Sequence, residues 1–160
     1  DLSQYLEETS GELDGLVNLV GGFSMGSLSK TNKEKMKTSF DKHVITVFHA
    51  IKATVKFLSK GGGGSVVNFS SRRALENNKG ALSYNIGKTG VASLTQSLNN
   101  ELDEIRINAL APDIMDTPAN RKAMPKANRE NWTSLSEVAN LVEFLLSDRS
   151  KPVNGQIIQV

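Results

Sequence analysis

The chain has 160 residues, a formal charge of +2, 38% hydrophobic and 22% charged residues and no cysteine, enough for one domain with a real core and too little for two. No apolar run approaches the roughly 20 residues a bilayer requires, and the absence of cysteine excludes disulfide scaffolds, thiolate metal sites and cysteine nucleophiles. His43 and His49 alone cannot build a zinc centre, so no metal is expected.

The first residues, Asp1 to Tyr5, offer neither an initiator methionine nor a basic and apolar leader, which reads as a cut end and not as a signal peptide. Leu16 to Val20, closed by Gly21-Gly22, is a short apolar run that suits a buried strand ending in a tight turn. Met36, Phe40, Val44, Val47, Phe48, Ile51, Val55 and Leu58 follow at steps of three and four, the period of a helix with one buried face. Glycines 61 to 64 stop it. Eight lysines between Lys30 and Lys60 face only Glu34 and Asp41, a local balance of +6. The segment reads as a solvated helix face, and no nucleic-acid partner is expected.

Ser65 to Phe69 is a second β-branched run, and Ser70 to Gly80 reads as a loop. A second helix carries Val91, Leu94, Leu98 and Leu102. Ile105 to Leu110 is a third strand, ended by Ala111-Pro112. After a polar segment through Trp132, a helix from about Ser136 to Leu146 is capped by the hydroxyls of residues 133–136, and a last strand runs from Gln156 to Val160. Strands joined by helices of this length form parallel sheets covered on both faces. The expected fold is α/β, doubly wound and mostly parallel, with residues 1–160 as a single Rossmann-like unit.

Chemistry concentrates where strands end and helices begin. Tyr84 and Lys88, four apart, project from one helix face, and an ammonium beside a phenol is expected to lower its pKa of about 10 toward neutrality. Alone this pair is a weak signal. It is joined by Ser71 at the end of the second strand, by Asn18-Leu19-Val20-Gly21 closing the first and by Pro112 to Thr117 closing the third.

On these segments, from Leu13 onward, the chain resembles the short-chain dehydrogenase/reductase family. Ser71, Tyr84 and Lys88 stand at the spacing of that family's serine and Tyr-x-x-x-Lys. Asn18 to Gly21 is similar to its Asn-Asn-Ala-Gly segment, with Leu19 and Val20 as departures. Pro112 to Thr117 is similar to its Pro-Gly-x-x-x-Thr segment, with Asp113 in the glycine position. The resemblance implies hydride transfer between NAD or NADP and a small-molecule carbonyl or alcohol. Tyr84 would be the general acid/base, Ser71 the partner of the substrate oxygen, and Lys88 the group that tunes Tyr84 and binds the nicotinamide ribose. Asn18, Gly21, Pro112 and Thr117 would lie on the cofactor side. His43 stands where the family often has a relay asparagine, with a packed helix histidine as the other reading. Arg72 and Arg73 would border the substrate, clamping a carboxylate or phosphate, or else form a solvated loop. Met124-Pro125 and Trp132 would cover the substrate or pack.

The resemblance further implies a homodimer or homotetramer and a cytoplasmic location. The family's glycine-rich turn, which receives the pyrophosphate, is not found, so the chain is expected to be the C-terminal part of a longer protein and insoluble or inactive by itself. Residues 116–125, Trp132 and the segment from Pro152 to Val160 resemble the dihydropteridine reductase branch, which makes reduction of a quinonoid pterin the alternative activity. An inactive scaffold that kept the fold is the second alternative.

Overall fold

The computed structural model describes residues 2–9, 11–60 and 63–160. Helix α1 (Leu2–Thr9), for which the sequence carries no clear signal, precedes strand β1 (Gly15–Asn18), and a continuous helical column follows. It comprises α2 (Lys33–Phe40), a π-helical turn (Asp41–Ile45) and α3 (Thr46–Lys60). Of the glycines expected to stop it, Gly61 and Gly62 lie outside the described residues. Then come β2 (Gly64–Phe69), α4 (Arg72–Leu75), α5 (Leu82–Asn99), β3 (Ile105–Ala111), α6 (Pro118–Ala123), α7 (Leu135–Leu146) and β4 (Ile157–Gln159). Two stretches read as irregular thus contain the short helices α4 and α6.

The four strands form one sheet in the order β1-β2-β3-β4, every pair parallel. Leu16 faces Val66, and Val66 faces Ile107. Alternate side chains feed opposite faces. Val66, Ile105 and Ile107 pack against Val47, Ile51 and Leu58 of α3 and Val91 of α5. Val67, Phe69 and Leu110 pack on the other face against Val138 and Leu145 of α7. The sheet is therefore covered on both faces, as expected of a doubly wound fold. Among the described residues no helix is long and apolar enough to cross a membrane.

The π-helical turn corrects the helical stripe. One extra residue advances the phase by about a third of a turn, so Ser39, His43, Val47, Ile51, Thr54 and Leu58 point inward while Phe40 and Phe48 are exposed. Helix α7 is held by a reciprocal cap. The Ser134 hydroxyl accepts the Glu137 N–H at 3.1 Å, and the Glu137 carboxylate accepts the Ser134 N–H at 3.2 Å.

Candidate active site

Helix α5 starts where β2 and β3 end, which brings Ser71, Tyr84 and Lys88 to one cavity of about 430 Å³. Ser71 has extended backbone at the N-cap of α4, and its hydroxyl makes no cap bond. That leaves the hydroxyl free to hydrogen-bond Tyr84. The phenol is also gripped edge-on by Phe23, at a centroid separation of 5.0 Å, and by His43 at 5.7 Å. Lys88 lies one turn further along, buried, its Nζ donating to the Phe69 carbonyl at 2.7 Å. Ser70 Oγ in turn donates to the Lys88 carbonyl at 2.8 Å and fixes this turn of α5 to the end of β2.

The electrostatics differ from the expectation that Lys88 acidifies Tyr84. Burial raises the Tyr84 pKa above its ordinary value, opposed only by the hydrogen bond to Ser71. Burial likewise lowers Lys88 to about 8. In a dry site both groups favour their neutral forms, and the ammonium is spent on a backbone carbonyl. Tyr84 is therefore a protonated phenol at neutral pH, able to give a proton to a substrate oxygen.

His43 is lowered to about 4, first by burial and then by the charge of Lys88, with the Gly22 backbone opposing and Lys42 adding to the effect. It is therefore a neutral imidazole at physiological pH. Its Nδ1 is buried without a partner. The ring fits only because two neighbours are glycines. A Cβ on Gly87 would lie 2.7 Å from His43 Cδ2, and one on Gly21 would lie 3.1 Å from Lys88 Nζ and 3.4 Å from His43 Nδ1.

Of the residues singled out from sequence, Gly21, Ser71, Arg73, Tyr84, Lys88 and Pro112 line the cavity. Asn18 does not. It donates to Asn68 Oδ1 at 2.8 Å, and Asn68 donates to Thr95 Oγ1 at 2.9 Å, a buried chain that ties β1 to β2 and α5. Arg72 turns away to Glu76 at 3.0 Å, whereas Arg73 bonds Asp113 at 2.7 Å. Thr117 Oγ1 caps α6 by accepting the Asn120 N–H at 3.1 Å. Met124 lines the cavity, while Trp132 packs under the Arg129 guanidinium, 5.7 Å from its ring centre. Sequence reasoning missed the Phe69 carbonyl, Phe23 and Gly87. Only Gly87 carried a signal, since glycine inside a helix costs about 1 kcal/mol against alanine and marks a close approach.

The residues present fit the nicotinamide end of a dinucleotide. Gly21 allows the backbone to come close beside the Lys88 ammonium, and Phe69 and Ile114 give an apolar wall. Among the described residues there is no glycine-rich turn at a helix N-terminus to receive a pyrophosphate.

A family model described as enoyl-(acyl carrier protein) reductase matches residues 1–160, so the likeness extends over α1 as well as the segment from Leu13 onward. A 3-oxoacyl-[acyl-carrier-protein] reductase of Thermotoga maritima is 33% identical over 94% of this chain and 65% of its own length. A dihydropteridine reductase of Dictyostelium discoideum is 30% identical over 92% of this chain and 66% of its own. A short-chain type dehydrogenase/reductase from Mycobacterium ulcerans superposes with a TM-score of 0.90 at 26% identity, covering 99% of this chain and 64% of that one. The chain thus spans about two thirds of the length of the relatives it matches. With its parallel sheet, its Ser71, Tyr84 and Lys88 on one cavity wall and a family match over its whole length, the chain belongs to the short-chain dehydrogenase/reductase family.

Proposed function

We propose that this chain carries the catalytic end of an NAD(P)-dependent oxidoreductase acting on a carbonyl or alcohol. The observation that carries the reading is the convergence of Ser71, Tyr84 and Lys88 on one largely apolar cavity. When bound, the nicotinamide supplies or takes up the hydride. In reduction, the Ser71 hydroxyl donates to the substrate carbonyl oxygen and orients it, and the neutral Tyr84 phenol gives that oxygen its proton. Lys88 holds the ribose and offers positive charge beside the phenolate that Tyr84 becomes. The phenolate regains its proton from water entering the cavity. Gly21 and Pro112 would flank the nicotinamide when it is bound, and Thr117 would hold its carboxamide.

The exposed Phe40, Phe48 and Ile86 on the helical column and α5 support pairing of these helices in a homodimer or homotetramer. The likeness to the Dictyostelium dihydropteridine reductase supports pterin reduction as a second reading, and Ser71 favours the carbonyl reading.

Tyr84→Phe in the full-length protein tests the chemistry. Ketone reduction falls by a factor of about 10³ or more with the fold unchanged, and retained turnover would remove Tyr84 from the mechanism. Quinonoid dihydropterin against simple ketones separates the two substrate readings.

A further inference from the structure

Arg73, expected from sequence to border the substrate, and Asp113, which stands in the family's glycine position, meet at the cavity. Arg73 Nε donates to Asp113 Oδ1 at 2.7 Å, and both residues line the cavity. The same carboxylate oxygen accepts the Ile114 N–H at 2.8 Å, so its position is set by its own loop as well as by the arginine. The other cations do not compete for it. Arg72 is bonded to Glu76 and Lys88 to the Phe69 carbonyl, and Lys79 stands exposed at the rim. The remaining wall is largely apolar, with Phe69, Ile114, Met115 and Met124.

We propose that Asp113 is a specificity-determining residue that neutralises Arg73 at the cavity mouth and so selects an uncharged carbonyl or alcohol over an anionic one. This rests on the oxidoreductase reading and adds the substrate's charge to it. A substrate carboxylate reaching Arg73 has to displace one already held there at an intramolecular concentration of at least about millimolar, while standing beside a like charge. The pair itself is about half exposed on the arginine side, 52% against 28% for the aspartate, and an ion pair so solvated adds little to stability. Its removal therefore changes recognition more than folding. Arg73 as an anion clamp, expected from sequence, becomes what the protein would be without Asp113.

Asp113→Asn in the full-length enzyme keeps the side-chain shape and an oxygen for the Ile114 N–H while removing the charge. The readout is the ratio of kcat/KM for an oxo acid to that for its methyl ester, measured for levulinate and its one- and two-carbon longer homologues. A ratio cancels any general loss of activity. The wild type is expected to favour every ester by about tenfold or more. Asp113→Asn is expected to raise the acid-to-ester ratio about tenfold for at least one chain length, the worth of one charge-assisted bond, and Arg73→Gln added to it removes that gain. A wild-type ratio near one, an unchanged ratio in Asp113→Asn, or a gain that survives Arg73→Gln overturns the proposal. If no ester is turned over, these compounds are not substrates and serve as ligands only. Calorimetric binding of the same three acids then decides the charge claim: tighter binding by about tenfold in Asp113→Asn upholds it and equal binding ends it.

Discussion

Lys88 and Arg106 are both cations drawn into the body of the molecule, one near the cavity and one near the C-terminus of α7, and they are satisfied to opposite degrees. Arg106 Nη1 donates to the Leu145 carbonyl at 2.9 Å and to Ser150 Oγ at 2.6 Å, and Nη2 donates to the Ser147 carbonyl at 3.1 Å. The guanidinium thus occupies the orphan carbonyls where α7 ends, the position at which positive charge is favoured. Lys88 has one acceptor, the Phe69 carbonyl, and burial lowers it to about 8. Around it two further polar atoms, His43 Nδ1 and Asn85 Oδ1, are buried with no partner. Full satisfaction describes a staple. Donors and acceptors left over around an acid, in a protein that pairs its buried polar groups nearly everywhere else, describe a site built to be completed by something else.

Replacing Lys88 gives the largest effect and divides the two roles. Lys88→Met is expected to reduce turnover by a factor of about 10³, yet to make the protein more stable at pH 7. The folded pKa of about 8 against the ordinary lysine value of 10.5 means that holding the charged lysine at neutral pH costs about 3 kcal/mol. Losing the bond to Phe69 takes back about 1–2 kcal/mol, which leaves a net gain of about 1 kcal/mol. The sign of its pH dependence follows from the lowered pKa. Between about pH 8 and 10.5 the unfolded chain holds a proton that the folded one has released, so the wild type gains stability as pH rises through that window. The variant does not, and its advantage shrinks. Urea unfolding at pH 7 and pH 10 measures this, and a variant less stable at pH 7 would place Lys88 with Arg106 among the staples.

Arg106→Met is the opposite experiment. It strips the Leu145 and Ser147 carbonyls and the Ser150 hydroxyl of their common donor at a cost of about 2 kcal/mol. kcat/KM should stay within about twofold, because no atom of Arg106 reaches the cavity wall. Urea midpoints with steady-state rates on the same samples test it. A loss of activity larger than the loss of folded protein would show that the α7 end communicates with the site.

The same contrast explains what was legible before the structure. Strands β2 and β3 and helices α5 and α7 are written in local periodicity and cap residues, and Ser134 followed by Glu137 needs nothing beyond four consecutive positions. Ser71, Tyr84 and Lys88 were legible because their spacing is a family pattern. The turn at Asp41–Ile45 was not legible. A single extra residue there is stabilised by what surrounds it, with the Thr46 hydroxyl bonded back to the Asp41 carbonyl at 3.0 Å and the His43 ring fitted against Gly87 and Gly21. The apolar period continues on either side with Phe40 and Phe48 one step out of phase. Protonation states were equally hidden, because burial dominates at Tyr84 and Lys88 and burial is a property of the whole fold. The pairing of Arg73 with Asp113 spans forty residues, and no local pattern announces it.

Thr117 is where the staple and the site overlap, and it carries the smallest expected effect. Its Oγ1 accepts the Asn120 N–H as the cap of α6, which leaves the hydroxyl hydrogen to donate elsewhere, and a cofactor carboxamide oxygen would take it. Thr117→Ala is expected to cost about 1 kcal/mol through the lost cap and to raise the cofactor KM about fivefold through the lost donor. Thr117→Ser, which keeps both lone pair and proton, restores both quantities. Asn120 lines the cavity and is itself tied to the Met115 carbonyl at 2.8 Å, so a frayed α6 could also disturb binding indirectly, and comparison with a second way of fraying the helix settles which route is used. Asn120→Ala removes the Met115 tie but leaves the Thr117 hydroxyl in place. If it raises the cofactor KM as much as Thr117→Ala does, the threonine acts as a cap alone; if only Thr117→Ala does so, its proton is part of the cofactor site.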